Sequence, residues 1–162
     1  MNRRMLLTSA VIAFAASAGS SWAAPGAPGH THDHENFSAG EPGDAKKPAR
    51  IVLITMQDSD GKMVFIPDRV EVKKGEQIKF MIRNSGVLEH EFVLATTAEN
   101  LKHAELMRKF PDMEHDDPNA IRIAPGKSAQ IVWKFNKAGE FEFSCLIPGH
   151  RESGMIGHVA VK

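Results

Sequence analysis

The feature that most constrains this chain is a stretch near its end in which a cysteine, a histidine and a methionine follow one another at intervals of five residues. They are Cys145, His150 and Met155, and Cys145 is the only cysteine in the sequence. The residues before it alternate, so that Phe141, Phe143 and Cys145 fall on one face of a predicted strand. The thiol therefore points into a core at the end of the strand. The Pro-Gly and Ser-Gly turns beyond it can bring the histidine and the methionine back to the same point.

These side chains predict a copper site. A thiolate, an imidazole and a thioether together suit copper, and the trigonal site of electron-transfer copper proteins needs a second histidine. His90 is the natural candidate, because it lies in a predicted strand whose in-phase residues, Phe92 and Leu94, are core residues. A histidine in that phase is more often a core residue than a ligand. A structural zinc site is the competing interpretation, although zinc prefers Cys and His without a thioether. The predicted ligands are His90, Cys145, His150 and, in the axial position, Met155.

The rest of the chain after Arg50 consists mostly of short alternating runs separated by Gly, Pro and Asp. Such runs with turns between them favour an all-β sandwich. The runs cover residues 51–57, 62–66, 69–73, 76–83, 89–95, 120–124, 128–135, 139–145 and 158–162. One short helix, near residues 97–110, is predicted between two strands. Thr96 and Glu99 form a capping box at its start, and Pro111 follows its end.

The start of the chain predicts export. Arg3 and Arg4 precede an apolar run too short to span a bilayer comfortably, and Ser21 and Ala23 are small residues suited to cleavage after Ala23. Residues 1–23 are therefore interpreted as a signal peptide, with a retained membrane anchor as the alternative. We expect a periplasmic protein.

Residues 24–49 are rich in Pro, Gly, Ala, His and Asp, which predicts a flexible leader ahead of a domain that covers residues 50–162. Three histidines in this leader are either a loose metal-binding tract or part of a solvated tail. They are His30, His32 and His34.

Charge and cysteine count narrow the classes of function. Without Arg3 and Arg4, 18 basic residues of the full 20 remain against 20 acidic ones, a net charge of −2 with neutral histidines. No basic cluster suggests a nucleic-acid partner. A lone cysteine in an exported protein cannot form an internal disulfide, and its setting here favours a metal ligand. Nothing demands more than a monomer.

The run from Cys145 to Gly157 resembles the copper-binding loop of the cupredoxins, and its Cys-x4-His-x4-Met spacing is that of rusticyanin. The resemblance covers about residues 51–162. It implies a Greek-key sandwich with one type 1 copper that alternates between Cu(I) and Cu(II), held by the four residues named above. The whole chain also resembles the periplasmic copper-tolerance cupredoxins of the CopI type, in its His-rich leader and in an insertion over residues 107–119. Many blue cupredoxins have Asn or Ser after the first histidine. Glu91 stands there in this chain, so the implied site is blue or green.

A second group of metal-binding side chains lies in and after the predicted helix. His103 and Met107 are four residues apart and share a helix face. Met113 and His115 follow in an acidic loop. Thioethers and imidazoles together suit Cu(I), so these four residues are a candidate second copper site. The alternative is that Met107 packs against the sandwich and His115 is solvated.

The predicted copper site and the family resemblance together favour two functions. The first is copper tolerance, by binding and redox handling of periplasmic copper, with a periplasmic redox or copper-transfer protein as partner. The second is a soluble electron carrier between respiratory partners, with His150 as the exposed port. An enzyme such as a multicopper oxidase needs several more His-x-His pairs, so we expect no enzymatic activity beyond weak cuprous oxidation.

Overall fold

Alternation of buried and exposed residues along the strands builds two five-stranded sheets that enclose one core. The computed structural model describes residues 37–59, 61–110 and 117–162. In spatial order, the first sheet contains β1 (Glu41–Pro42), β8 (Ser128–Lys134), β5 (Gln77–Asn84), β2 (Arg50–Ser59) and β3 (Lys62–Ile66). The second contains β4 (Arg69–Val72), β10 (Ile156–Val161), β9 (Gly139–Ser144), β6 (His90–Ala95) and β7 (Ala120–Ile123).

The chain passes from one sheet to the other after β3, β4, β5, β7 and β8. The β2–β5 and β4–β10 pairs are parallel, and the other pairs are antiparallel. The predicted all-β sandwich is confirmed. Every predicted run overlaps an observed strand, and the ends of that strand lie within two residues of the predicted ends.

Aromatic side chains from both sheets fill the core next to the loop that follows Cys145. Phe92 of β6 stacks on Phe143 of β9 with a centroid distance of 5.1 Å and an interplanar angle of 16°. Phe65 of β3 meets both rings edge-on. Such aromatic pairs add about 0.5–1.5 kcal/mol each beyond the area they bury. The stack therefore fixes the relative position of the two strands that carry His90 and Cys145.

The predicted helix is present as α1 (Thr97–Lys109). It begins with the capping box, in which Glu99 N–H donates to the Thr96 hydroxyl and the Glu99 carboxylate accepts the Thr96 N–H. The helix covers part of the outer face of the second sheet through Ala104 and Met107, which pack with Val93 and Leu146. Among the described residues, no helix is long and apolar enough to cross a membrane.

The end of the predicted leader packs on the sandwich. Strand β1 pairs with β8, and the buried Ala39 accepts the indole N–H of Trp133 through its carbonyl at 3.0 Å. Phe37 contacts the same indole edge-on. Residues 37–49 thus contact the sandwich although the predicted domain begins at residue 50, and the Ala39 carbonyl satisfies the buried indole N–H. Residues 1–36, with the predicted signal and the three leader histidines, lie outside the described residues.

We expect Gly40→Ala to destabilise the domain if residues 37–49 are part of it. Gly40 has φ +131°, and a Cβ there would overlap the carbonyl oxygen of Lys134. Backbone strain of this kind costs about 1–3 kcal/mol. The matched control is Gly126→Ala, with φ +72° and open space around the added Cβ. Urea unfolding of the metal-free protein should show a larger decrease in the free energy of unfolding for Gly40→Ala than for Gly126→Ala. Equal losses would mean that the segment detaches freely.

Candidate metal centre

Two adjacent strands bring His90 and Cys145 to one end of the core. His90 is the first residue of β6 and points inward with Phe92 and Leu94, and Cys145 directly follows β9 in phase with Phe143. The register pairs Leu94 with Phe143 and Val93 with Ser144. Both side chains are completely buried. The sheet therefore places an imidazole and a thiol side by side, away from water.

The loop after Cys145 closes on itself and returns His150 to the same place. His150 N–H donates to the Ile147 carbonyl at 3.0 Å, and Met155 N–H donates to the His150 carbonyl at 3.1 Å. Gly149, with φ +90°, supplies the left-handed turn just before His150. Cys145 N–H then donates to the Met155 carbonyl at 3.1 Å. Met155 is completely buried in the main core cluster with Cys145.

The side-chain donor atoms of three of the four predicted ligands converge. His90 Nδ1 lies 3.1 Å from His150 Nδ1, and Cys145 Sγ lies 3.3 Å from His150 Nδ1. The ligand atoms of these three residues are all within 4.8 Å of one another, so one ion can touch all of them. Two imidazole nitrogens and a sulfur in an apolar core are the donors that copper prefers. The donor set therefore fits copper.

In the absence of a cation, burial favours the uncharged forms of Cys145 and His150. Burial, together with the nearby Glu91 carboxylate, raises the pKa of the Cys145 thiol to about 12, although the N–H groups of Glu91 and Ile147 act in the opposite direction. Burial and the neighbouring His90 lower the pKa of His150. Glu91 N–H donates to Cys145 Sγ at 3.3 Å and can stabilise a thiolate once a metal ion replaces the proton.

Asp58 contacts His90 through Nε2, the ring nitrogen that is not the one facing His150. His90 Nε2 lies 2.7 Å from Asp58 Oδ2, and the Asp58 side chain is only 7% exposed. Burial would raise the pKa of Asp58, but the N–H groups of Val87 and Leu88 and the contact with His90 outweigh it, and the pKa lies below its usual value. In the sequence, Asp58 falls in the turn between two predicted strands, residues 51–57 and 62–66, and is not among the predicted site residues. The usual pairing of a metal-bound histidine with a carboxylate was the signal that could have found it.

Two ion pairs, each with a buried carboxylate, lie on the outer face of the second sheet next to the site. Arg122 of β7 donates to Glu91 Oε1 through Nε at 3.0 Å and Nη2 at 2.7 Å. Arg151, next to His150, donates to both oxygens of Glu142 at 2.9 Å, and Asn100 of α1 donates to Glu142 at 3.2 Å. The second network ties the His150 loop to both β9 and the inserted helix. The sequence offered no sign of it.

The second predicted cluster is only partly within the described residues. Met107 is completely buried between α1 and the sheet, and His103 on the same helix is half-buried. Met113 and His115 lie in residues 111–116, outside the described residues. This second site stays a prediction. His158 is exposed on β10, as its phase predicts.

A family model described as copper-binding proteins of the plastocyanin/azurin family matches residues 52–162. The chain belongs to this family. The cupredoxin is 51% identical over 133 residues to a copper-resistant cuproprotein CopI of Rubrivivax gelatinosus, a match that covers 82% of this chain and 78% of that protein. It is 33% identical over 152 residues to a CopI of Pseudomonas aeruginosa, with 76% and 82% covered.

Solved structures with the same fold include auracyanins. The cupredoxin is similar to the reduced auracyanin of Roseiflexus castenholzii with a TM-score of 0.58 and 20% identity, over 72% of this chain and 99% of that one. A multicopper oxidase matches with a TM-score of 0.52 and 15% identity, over 72% of this chain and 45% of that one. At these identities the likeness shows the fold alone.

We expect copper(II) uptake to release about one proton per chain at pH 7, because the buried thiol is protonated until a metal ion binds to it. The raised Cys145 pKa, about 12, and the lowered His150 pKa give this count. Titration of weakly buffered metal-free protein with a pH indicator measures it. Cys145→Ser is the control and should release no proton from this residue. Equal release from both proteins would show that the thiol is not a ligand.

Proposed function

We propose that this cupredoxin is an exported, periplasmic protein of copper tolerance that binds copper and handles its redox state at His90, Cys145, His150 and Met155. The observation that carries the proposal is the convergence of two imidazoles and the only thiol at one end of the core. Relatives that this chain matches over most of its length are named copper-resistant cuproproteins. That name supports tolerance over other uses of the same fold.

Bound copper would supply a one-electron couple between Cu(II) and Cu(I). The chain supplies a site whose parts are held before metal arrives. His90 and Cys145 are fixed by paired strands, and their side chains exclude water. A rigid donor set limits the rearrangement between two oxidation states that prefer different geometries. We propose binding and electron exchange as its activity, and no substrate turnover.

A soluble electron carrier is the second candidate function. His150 is half-buried, whereas His90 and Cys145 are completely buried, and the neighbouring Pro148 and Gly149 are exposed. One imidazole therefore lies close to the surface, where a redox partner can approach it. This feature favours electron exchange with another protein but does not distinguish a respiratory partner from a copper-handling one. A monomer could carry out either function.

Disruption of the gene separates the two functions. If the protein acts in tolerance, the disrupted strain should grow at least tenfold less well at elevated copper and respire normally without added copper. The wild-type gene should restore growth, and Cys145→Ser should not, because it lacks the thiolate ligand. Colony counts on graded copper and oxygen uptake are the measurements. A respiratory defect without copper sensitivity would favour the electron carrier.

For the second copper site, we propose that Met107 acts with His103, Met113 and His115 to bind Cu(I). Met107→Leu combined with Met113→Leu should lower the copper(I) bound per chain and leave the visible thiolate band of the copper(II) form intact. Leucine keeps the buried volume and removes only the thioether, a swap that usually costs less than about 1.5 kcal/mol. Metal analysis and absorption spectroscopy measure both effects. Met56→Leu, in the main core, is the matched control. Unchanged stoichiometry would exclude this site.

A further inference from the structure

We propose that Asp58 is a positioning residue that fixes His90 in its metal-binding tautomer and shifts the bound copper toward Cu(II). The proposal rests on the copper site described above. Neither the family model nor the names of the relatives assign a role to this residue. Asp58 lies near the end of β2, two residues beyond the parallel pairing with β5 and opposite Met63 of β3.

The first step concerns the proton on His90. Asp58 Oδ2 is 2.7 Å from His90 Nε2, and a carboxylate can only accept a hydrogen bond. The hydrogen of the neutral imidazole must therefore be on Nε2. Nδ1 is then left with its lone pair, and Nδ1 is the nitrogen that faces His150 and the thiol. Without the carboxylate, nothing in this contact favours one tautomer over the other.

The second step concerns the position of the carboxylate itself. Val87 N–H donates to Oδ1 at 2.9 Å, and Leu88 N–H donates to Oδ2 at 3.0 Å. A Cβ on Gly86 would overlap Asp58, so the glycine lets the loop close around this side chain. Asn84 holds the same loop by donating to the Leu88 carbonyl at 2.7 Å and accepting the Gly86 N–H at 2.9 Å. Three donors on a fixed carboxylate leave it little freedom to turn away from His90.

The third step concerns charge. The Asp58 carboxylate accepts two backbone N–H groups, an arrangement that favours its ionised form, and its side chain is 7% exposed, so water screens it poorly. A negative charge one imidazole away from copper stabilises the ion with the higher charge, Cu(II). A carboxylate partner also makes the imidazole a stronger donor. Both effects act in the same direction and lower the reduction potential relative to a neutral partner.

Asp58→Asn tests the proposal with little change in size. We expect copper(II) affinity to fall about 10–100-fold, the usual cost of losing the partner of a metal-bound histidine. Copper(I) affinity should fall less. The Cu(II)/Cu(I) equilibrium should then shift toward Cu(I) by the ratio of the two losses, and each factor of ten in that ratio is about 59 mV for a one-electron couple. Protein-film voltammetry and competition with chelators measure the two quantities.

Glu89→Gln is the matched control, because it removes the same charge one residue from His90. The Glu89 side chain is 48% exposed and pairs with Arg122. Loss of the Glu89 charge should shift the Cu(II)/Cu(I) equilibrium much less than loss of the Asp58 charge. Equal shifts for the two variants would mean that any nearby negative charge acts on copper as Asp58 does, and would overturn the proposal.

A second measurement needs neither copper nor a variant. Nitrogen-15 NMR of the metal-free wild-type protein reports which nitrogen of His90 carries the hydrogen. We expect Nε2, and a hydrogen on Nδ1 would overturn the proposal even if Asp58→Asn does not fold. Failure of the proposed copper site can be distinguished from failure of the proposal about Asp58. A copper spectrum that persists in His90→Ala would reject His90 as a ligand and leave the tautomer result unchanged.

Discussion

The register between β6 and β9 is the constraint on which the candidate site depends. With Leu94 opposite Phe143, the inward phases of both strands coincide at the end of the sheet where His90 and Cys145 lie. A slip of one residue would turn every side chain of a strand to the other face. It would move the thiol or the imidazole outside the core and break the Phe92–Phe143 stack at the same time. Packing of the hydrophobic core and assembly of the metal site are thus one requirement.

Burial of the donors has a consequence for the charged groups around them. Glu91 and Glu142 are almost enclosed, and each carboxylate pairs with a partly exposed guanidinium group, Arg122 and Arg151 respectively. Removal of either arginine is destabilising, because it leaves a buried carboxylate without its partner. The pairs therefore give the region one preferred arrangement. They lie on the outer face of the second sheet, whereas Asp58 approaches from the first sheet.

Much of this could be predicted from the sequence, because its signals are local. Alternation with period two gave the strands, Thr96 and Glu99 gave the helix start, and the Cys-His-Met spacing located the metal-binding loop. The missed features depend on contacts between distant residues. Asp58 is 32 residues from His90, and a hairpin pattern says nothing about which loop its carboxylate faces. Residues 37–49 have a composition typical of a leader, and the contacts that hold them are with distant residues, such as the hydrogen bond from Trp133 to the carbonyl of Ala39, 94 residues away.

The two imidazoles differ in how they are held, and this difference bears on function. His90 is on a strand, completely buried, and bound through Nε2 to a fixed carboxylate. His150 is on a turn, half-buried, and its loop is tied back through Arg151 to Glu142 and from there to Asn100 of the inserted helix. One side of the site is therefore set by the sandwich, and the other by an insertion into it. His150 is the more exposed of the two imidazoles, and its loop is linked to the inserted helix through Arg151, Glu142 and Asn100.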